Sequence, residues 1–315
     1  MSALLNAART QWDSFPTWAK TAAIGCGVIV SGALMKRLFL GSKPRETPVK
    51  KDFKKGVLYL YQWPRVNLVP SMSPYCLKLE TWLRISGIEY ENVITYSLRS
   101  REGMLPFVEL DGVEYPDSGF AIRDLTKELG ISTDDHLTEE QRAVAHSFER
   151  MLEMSTFNTY ALVRYVENAD KMVEWLKESM GDKLTLPLSL FFSFLGWRMP
   201  AVAMDALRKQ GIGRHDRAEI MNMGKADLKA LSDYLGTNPF FMGDEPTRVD
   251  CAAFGVLAQL LYCPIESPHK EYMESDCKNL VDFCARVKER VFPDWDTIIQ
   301  DNDNHSYEHP AKKKE

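Results

Sequence analysis

The sequence predicts a small α/β domain followed by an all-helical domain, with a single membrane-spanning helix in front of both. Three observations support this fold class. Strand and helix patterns alternate between residues 56 and 131. The strand patterns stop after Ile131, where the apolar spacing becomes helical. An uncharged apolar run lies close to the N-terminus, between Lys20 and Lys36.

Composition narrows the class of protein. The chain has 315 residues, enough for about two domains, and a net charge of −5, which argues against nucleic acid as the main partner. Its six cysteines are scattered, without a Cys-x-x-Cys motif or a cysteine and histidine cluster at zinc spacing. That pattern is typical of a reducing compartment, and we expect no metal site. Cys277 and Cys284 are seven residues apart, and two core residues explain them better than a soft-metal site.

Residues 1–17 form an N-terminal segment without a strong pattern, and residues 18–40 are predicted to be a membrane anchor. The uncharged run at 21–35 is shorter than the roughly 20 residues of a spanning helix, but lysines at both ends can snorkel. A cleaved signal peptide and a soluble helix are the alternatives. Basic residues are dense after the run and sparse before it, so the positive-inside rule places the rest of the chain in the cytosol.

Residues 41–55 are predicted to be a basic, polar linker. The α/β domain then begins with a strand at 57–63, a helix at 74–86 and a strand at 90–94, which together make a parallel β-α-β unit. Two short strands flank Asp111-Gly112, a strong hairpin signal.

Asp117-Ser118 caps the helix that closes this domain, at about 120–129. Residues 132–296 form the helical domain. Thr138 and Gln141 make a capping box, and residues 218–235 carry the clearest amphipathic pattern. Residues 297–315 are polar and predicted to be a disordered tail, ending in lysines that resemble a retrieval signal to the endoplasmic reticulum.

A second apolar run lies at 184–206. Pro187, Gly196, Arg198 and Pro200 interrupt it. We therefore predict buried or interfacial helices here, broken at these residues, rather than a second membrane crossing.

Ser73-Pro74-Tyr75-Cys76 has the form of a Cys-x-x-Cys redox motif whose first cysteine has become serine. Ser73 stands at an N-cap position and Pro74 at the first helical position. The start of a helix favours a nearby thiolate or carboxylate. The alternative is a plain helix start, with Ser73 only a cap and Cys76 a buried apolar residue.

This order of elements resembles the glutathione transferase architecture. It implies a thioredoxin-like domain at 56–131 and a glutathione transferase-like helical domain at 132–296. The segment Met104-Leu105-Pro106-Phe107-Val108 resembles the loop that enters the third strand of that family, where the proline is cis. Asp117-Ser118 resembles its acidic-serine pair, and residues 241–250 resemble the capping motif of its second domain.

A tighter resemblance is to the failed axon connections family. It rests on Tyr61-Gln62-Trp63-Pro64-Arg65, on the run from Ser73 to Leu83 and on Gly211-Ile212-Gly213-Arg214-His215. The nematode cadmium-responsive proteins and, more distantly, the metaxins are similar. The resemblance covers roughly residues 56–293.

The resemblance implies a set of site residues and glutathione as their ligand. Ser73 would donate a hydrogen bond to the glutathione sulfur and is the candidate catalytic residue. The backbone of Leu105, beside Pro106, would pair with the ligand. Asp117 and Ser118 would bind the γ-glutamyl carboxylate. Cys76 is a weaker catalytic candidate, because it matches the resolving cysteine of a dithiol motif and has no attacking partner.

Two functions follow from the resemblance. The first is a membrane-anchored, cytosol-facing interaction or regulatory scaffold with a role in axon development, metal stress or outer-membrane protein handling. Its membrane would be the endoplasmic reticulum or the mitochondrial outer membrane, its partners other proteins, and a dimer is compatible with it. The second is a glutathione-dependent transferase that uses Ser73 to activate the glutathione thiol. The residues alone do not decide whether the protein is an enzyme.

Overall fold

The computed structural model describes residues 47–300 and 307–308 of the chain. The predicted N-terminal segment, the membrane anchor at 18–40 and the first residues of the linker lie outside the described residues.

A four-stranded mixed sheet is the centre of the first domain, with the strand order β2-β1-β3-β4. The strands are β1 (Leu58–Gln62), β2 (Tyr90–Ile94), β3 (Phe107–Leu110) and β4 (Val113–Pro116). β1 and β2 are parallel, so a crossover must join them, and helix α1 (Pro74–Ile85) supplies it. β3 and β4 form the predicted hairpin, in which Asp111 and Gly112 have φ values of 51° and 79°, the positive values that a type I′ turn requires.

One face of the sheet is covered by α1 and by α2 (Ser118–Leu129). Residues on alternate positions of the strands, such as Leu58, Leu60 and Val108, pack against apolar side chains of these two helices. This layer is the core of the thioredoxin-like domain.

The opposite face is covered without a helix, and for residues 47–55 this corrects the prediction of a polar linker over 41–55; residues 41–46 lie outside the described residues. Val49 and Phe53 pack on the aromatic residues that β1 and β3 present to this face, Tyr59, Tyr61 and Phe107. The backbone amides of Val49 and Lys50 donate to Glu109 Oε2 at 3.0 and 3.3 Å. An aromatic face and a buried carboxylate both need cover, so residues 47–55 fold onto the sheet instead of remaining solvated.

The regular elements of the second domain are all helices, and an isolated bridge between Phe240 and Gly243 lies in the loop after the helix that ends at Leu235. The helices of this domain are α3 (Glu139–Met151), α4 (Phe157–Ala161), α5 (Ala169–Met180), α6 (Leu186–Gln210), α7 (Arg217–Leu235), α8 (Arg248–Tyr262), α9 (Pro268–Asp276), α10 (Lys278–Val291) and α11 (Trp295–Gln300). π-helical segments at Leu152–Thr156 and Leu162–Glu167 join α3, α4 and α5, and 3₁₀ turns at Gly181–Lys183 and Ile212–Arg214 flank α6.

Helix α6 contradicts the prediction of interrupted helices at 184–206. It is continuous over 25 residues, with Pro187 in its first turn and Pro200 in its interior. A proline inside a helix costs about 3 kcal/mol, so packing must offset that cost. The packing is against α5, where Gly196 comes so close that a Cβ built on it would lie 2.7 Å from Val173 Cγ2. In the described part of the chain, α6 alone is long and apolar enough to cross a membrane by length and composition.

The two domains meet where α8 packs against α1. A Cβ built on Gly255 would lie 2.5 Å from the Pro74 carbonyl oxygen and 3.2 Å from the Lys78 backbone nitrogen. Only glycine fits so close to another backbone, so Gly255 sets the spacing of the two helices.

The prediction of a disordered tail at 297–315 is corrected for residues 297–300 and 307–308, and the rest of that segment lies outside the described residues. Helix α11 extends to Gln300, and its residue Ile298 is fully buried. Tyr307 then pairs with Tyr90 at the edge of the sheet through two backbone hydrogen bonds of 3.2 and 3.0 Å. The ring of Tyr307 lies over the Arg84 guanidinium at 4.4 Å and close to the ring of Tyr90. These contacts explain why Tyr307 is ordered against β2.

Candidate functional site

The strand register brings three of the predicted segments, those of Ser73, Leu105-Pro106 and Asp117-Ser118, to the same end of the sheet, where β1 and β4 end and β3 begins. β1 reaches this end at Gln62, and the chain then continues toward the start of α1. Tyr61 of β1 pairs with Phe107 of β3, so the Leu105-Pro106 peptide lies at the same end. Phe107 in turn pairs with Pro116, the residue before Asp117-Ser118. Segments far apart in the chain therefore form one candidate site.

Ser73 is the N-cap of α1. Its hydroxyl oxygen accepts a hydrogen bond from the backbone amide of Cys76 at 3.4 Å, a long distance for such a bond. The Ser73 amide donates to Ser71 Oγ at 3.2 Å. The side chain is half-buried, at the positive end of the α1 dipole. It is thus positioned to donate its own proton to an anion in front of the helix.

The Leu105-Pro106 peptide is cis, as the resemblance implied. Pro106 is buried, and Leu105 packs against the aromatic cluster on the second face of the sheet. Among the described residues, the backbone of Leu105 has no hydrogen-bond partner. Its N–H and C=O are therefore available to an extended peptide-like ligand.

Asp117 has strained backbone geometry, with φ 62° and ψ 137°. Few residues other than glycine adopt this region, and such strain is concentrated at ligand sites. The strain puts Asp117 in a capping position, where Oδ1 accepts from the amides of Gly119 at 2.8 Å and Phe120 at 3.2 Å. Ser118 begins α2 and is buried, and its hydroxyl has no hydrogen-bond partner among the described residues.

Lys78 lies beneath the first turn of α2. A Cβ built on Gly119 would be 3.7 Å from Lys78 Nζ and 3.6 Å from Arg248 Nη2. Lys78 Nζ is buried between Glu149, with which it is in close contact, and Glu153 at 2.7 Å. Arg248 Nη2 donates to the same Glu149 at 2.9 Å. These cations are neutralised by the helical domain, so Lys78 joins the domains rather than facing a ligand.

Cys76 lies in the same region and is fully buried. Burial raises the pKa of its thiol, and the nearby Ser73 and Ser71 hydroxyls and Trp63 backbone offset this only in part. A raised pKa keeps the thiol protonated, and a protonated thiol is a poor nucleophile. The geometry therefore favours Cys76 as a core residue rather than a redox centre.

Sequence reasoning missed Arg99, in the loop between β2 and β3. The side chain is only 6% exposed, and its guanidinium lies over the Trp63 ring at 4.5 Å. It donates to the Leu98 carbonyl at 2.7 Å, and within the described ranges no carboxylate forms an ion pair with it. Burial lowers the pKa of this guanidinium, and the nearby Cys76 only partly offsets the effect. In the sequence, Arg99 stands in a polar stretch with Arg101 and Glu102 that resembles an ordinary solvated loop.

The structure also has a cavity away from this site, and its described residues lack the arrangement that a metal site requires. A cavity of about 460 Å³ lies between Arg84, His136, Arg290 and Tyr307, and none of the predicted site residues lines it. Within residues 47–300 and 307–308, no group of three histidine, cysteine, aspartate or glutamate side chains is arranged to hold a metal ion.

Comparison with known proteins places the fold. The glutathione S-transferase N-terminal domain model matches residues 74–180, and the glutathione S-transferase C-terminal domain model matches residues 224–287. The chain is 43% identical to Failed axon connections of Drosophila melanogaster over 258 residues. That match covers 79% of this chain and 61% of the Drosophila protein, so this chain spans about three fifths of that relative's length.

Two further relatives have different names, one a glutathione S-transferase and the other a metaxin. The isoprene-epoxide glutathione S-transferase of Rhodococcus sp. is 26% identical over 230 residues, which cover 70% of this chain and 94% of that enzyme. A Metaxin-1 homolog of Caenorhabditis briggsae is 32% identical over 199 residues, which cover 62% of this chain and 61% of that protein.

Proposed function

The chain belongs to the failed axon connections family of glutathione transferase-like proteins, and from that membership we propose that it is an interaction scaffold held at a membrane. The observation that carries the proposal is the identity of 43% to Failed axon connections, against 26% to the Rhodococcus transferase. In this proposal residues 18–40 anchor the chain, the folded domains face the cytosol, and their ligands are other proteins.

The metaxin relative supports the mitochondrial outer membrane as the location, ahead of the endoplasmic reticulum. A contribution to axon development or to a metal stress response follows from the same family resemblance. The topology is tested by protease protection of tagged termini in isolated organelles. A C-terminal tag should be digested while the membrane is intact, and a protected C-terminal tag would reject the cytosolic orientation.

A conjugation assay tests whether the protein is a scaffold or an enzyme. The full-length protein in detergent is mixed with glutathione and an electrophilic dinitrobenzene, and the thioether product is followed by absorbance. A scaffold gives the uncatalysed background rate, and Ser73→Ala gives the same rate. A rate above background that Ser73→Ala abolishes would replace the scaffold with a transferase.

Glutathione binding is the second candidate function, and one specific arrangement favours it. The Ser73 hydroxyl, the Leu105 backbone and the Ser118 hydroxyl lie at one end of the sheet, and the last two have no hydrogen-bond partner within the described ranges. Arg99, which lies over Trp63 in the loop between β2 and β3, supplies a buried cation. Glutathione is a short peptide with a thiol and two carboxylates, so it offers a partner for each group.

In that function each of these residues would bind a different part of glutathione. Ser73 and the positive end of α1 would stabilise the thiolate of the bound tripeptide, which is the form that attacks an electrophile. The Leu105 backbone would pair with the peptide. Ser118 and the start of α2 would bind one carboxylate, and Arg99 the other.

Titration calorimetry with the full-length chain tests this second function. Glutathione should release or absorb heat at millimolar concentration, and Ser118→Ala and Arg99→Gln should each weaken binding. Arg101→Gln is the matched control, because Arg101 is exposed two residues away. Ser73→Ala should mainly lower turnover. No heat at millimolar glutathione, or equal weakening by Arg101→Gln, would reject glutathione as the ligand.

A further inference from the structure

Helix α6 is apolar on two opposite sides. Its inner side packs on the helical domain through Phe191, Phe192 and Leu207, which are all buried. Its outer side exposes a stripe of large apolar residues, with exposed fractions of 70% for Leu186, 63% for Leu190, 38% for Phe194 and 72% for Trp197. Their spacing of four, four and three residues places them on one helix face.

This outer stripe differs from the surface of an ordinary soluble helix. A helix on the surface of a globular protein carries charged and polar residues on its outer side, and contiguous exposed apolar patches mark interaction sites. From Leu184 to Trp197 the chain has no charged residue. Only 11% of the residues in the most apolar 18-residue window of α6 are buried in the protein, so the stripe is available to a second apolar surface.

The charged residues around the stripe indicate what kind of surface the stripe contacts. Residues 171–214 contain seven basic and four acidic residues, a net charge of +3 in a chain whose net charge is −5. Exposed Lys183 and Arg198 bracket the uncharged stretch. Arg198 lies against Trp197, with its guanidinium 5.9 Å from the ring centre. Tryptophan and basic residues at the border of an apolar face are typical of helices that lie at the interface of a bilayer.

Contacts with α5 argue that α6 does not cross the bilayer. Val173 of α5 contacts α6 at Gly196, and Lys177 Nζ donates to Ser193 Oγ at 2.7 Å. Crossing a membrane would break these contacts and expose the buried inner side. The outer stripe can enter lipid while the inner side stays packed on the protein.

We propose that the outer stripe of α6 lies in the interfacial layer of a membrane that contains anionic lipids. Leu186, Leu190, Phe194 and Trp197 enter the boundary between headgroups and acyl chains, and Arg198 contacts lipid phosphate. This contact extends the proposed membrane location to the folded domain, and it does not depend on the anchor at 18–40. Electrostatic attraction of the basic residues to anionic headgroups adds to the apolar contact.

Spin labelling of the full-length chain tests the proposal. The five described cysteines are all buried, so a label on Leu190→Cys in a Cys26→Ser background reports on the stripe alone. Asn222→Cys in the same background is the matched control, because Asn222 is exposed on α7. Collisions with oxygen and with a water-soluble nickel complex are measured with vesicles that contain phosphatidylserine.

With these vesicles, the Leu190 label should gain oxygen collisions and lose nickel collisions, while the Asn222 label should change in neither. Equal nickel access at both labels would overturn the proposal. Protection from both reagents together with dipolar broadening would overturn it in favour of a second copy of the chain. If vesicles of phosphatidylcholine alone changed the collisions of the Leu190 label as much as the phosphatidylserine vesicles do, the role assigned to anionic lipid would be overturned.

The natural Cys26 separates this inference from the proposed anchor. A label on Cys26 in the unmodified chain reports on residues 18–40, whereas the Leu190 label reports on α6. A lipid-exposed Leu190 label with a water-exposed Cys26 label would support the contact of α6 and reject the anchor. The reverse result would keep the anchor and overturn the contact.

Discussion

The guanidinium of Arg65 and the carboxylate of Glu80 form a paired, fully buried interaction, with Nη2–Oε1 at 2.6 Å and Nη1–Oε2 at 2.5 Å. Tyr90 donates a further hydrogen bond to Glu80 Oε1 at 2.5 Å. Arg84, beside them, donates to Asp294 Oδ1 at 2.6 Å and so connects this network to the segment after α10. This buried network of charged side chains therefore connects the two domains, in addition to the apolar contacts between them.

The first prediction concerns the stability of the folded protein at acidic pH. Burial alone would raise the pKa of Glu80, but the charge and hydrogen bonds of Arg65 outweigh it and lower the pKa from 4.5 to about 2. The unfolded chain therefore binds more protons between these values, and the free energy of unfolding decreases as pH falls from about 4.5 to 2. The loss should reach about 3 kcal/mol at 1.36 kcal/mol per pKa unit.

Urea unfolding at a series of pH values measures this loss. Glu80→Gln should be less stable at neutral pH, because it leaves Arg65 buried without its counterion. It should also lose the part of the acid dependence that Glu80 supplies. An acid dependence identical to that of the unchanged chain would show that other carboxylates cause it.

The second prediction concerns the charges between the domains. Lys78→Met removes the buried ammonium that Glu149 and Glu153 share. Arg248 and Arg150 still pair with these carboxylates, so the loss should be about 1–3 kcal/mol of unfolding free energy, as for hydrogen bonds to charged groups. The control is Lys229→Met, since the ion pair of Lys229 with Asp233 is exposed and should contribute no measurable stability. Urea unfolding compares the two variants, and equal effects would contradict a structural role for Lys78.

The third prediction concerns the contact between α1 and α8. Gly255→Ala places a methyl group 2.5 Å from the Pro74 carbonyl oxygen, so the helices must separate. Such overpacking should cost about 1–3 kcal/mol, seen as a lower melting temperature by circular dichroism. Asn222→Ala, on an exposed position of α7, should melt like the unchanged chain. A Gly255→Ala variant that melts no lower would show that the interface adapts freely.

The fourth prediction concerns thiol chemistry. Cys76, Cys251, Cys263, Cys277 and Cys284 are buried, and burial raises the pKa of each thiol. In a Cys26→Ser background the folded protein should therefore react with no equivalent of a thiol reagent, and the unfolded protein with five. One fast equivalent that Cys76→Ser removes would restore Cys76 as a redox candidate.

The parts of the fold that sequence predicted well depend on local signals. The cap at Ser73, the hairpin at Asp111-Gly112 and the capping box at Thr138 each lie within a few residues of the element they start or join. The cis peptide at Pro106 followed from the family resemblance rather than from any local pattern.

The features that sequence missed depend on residues that are distant in the chain. The partners of Lys78 lie 71 and 75 residues away, so nothing near Lys78 shows that its charge is neutralised. Pro200 predicted a break in α6 because the packing on α5 that offsets its cost is a tertiary effect. Arg99 resembled a solvated loop residue because its burial depends on Trp63, 36 positions earlier.

The pairing of Tyr307 with Tyr90 has a consequence for self-association. β2 is an edge strand, and an open edge offers unpaired N–H and C=O groups to an extended segment of another molecule. Tyr307 occupies two of these groups from within its own chain. Loss of the C-terminal residues would therefore turn this edge into a template for strand addition, with aggregation the foreseeable result in a truncated chain.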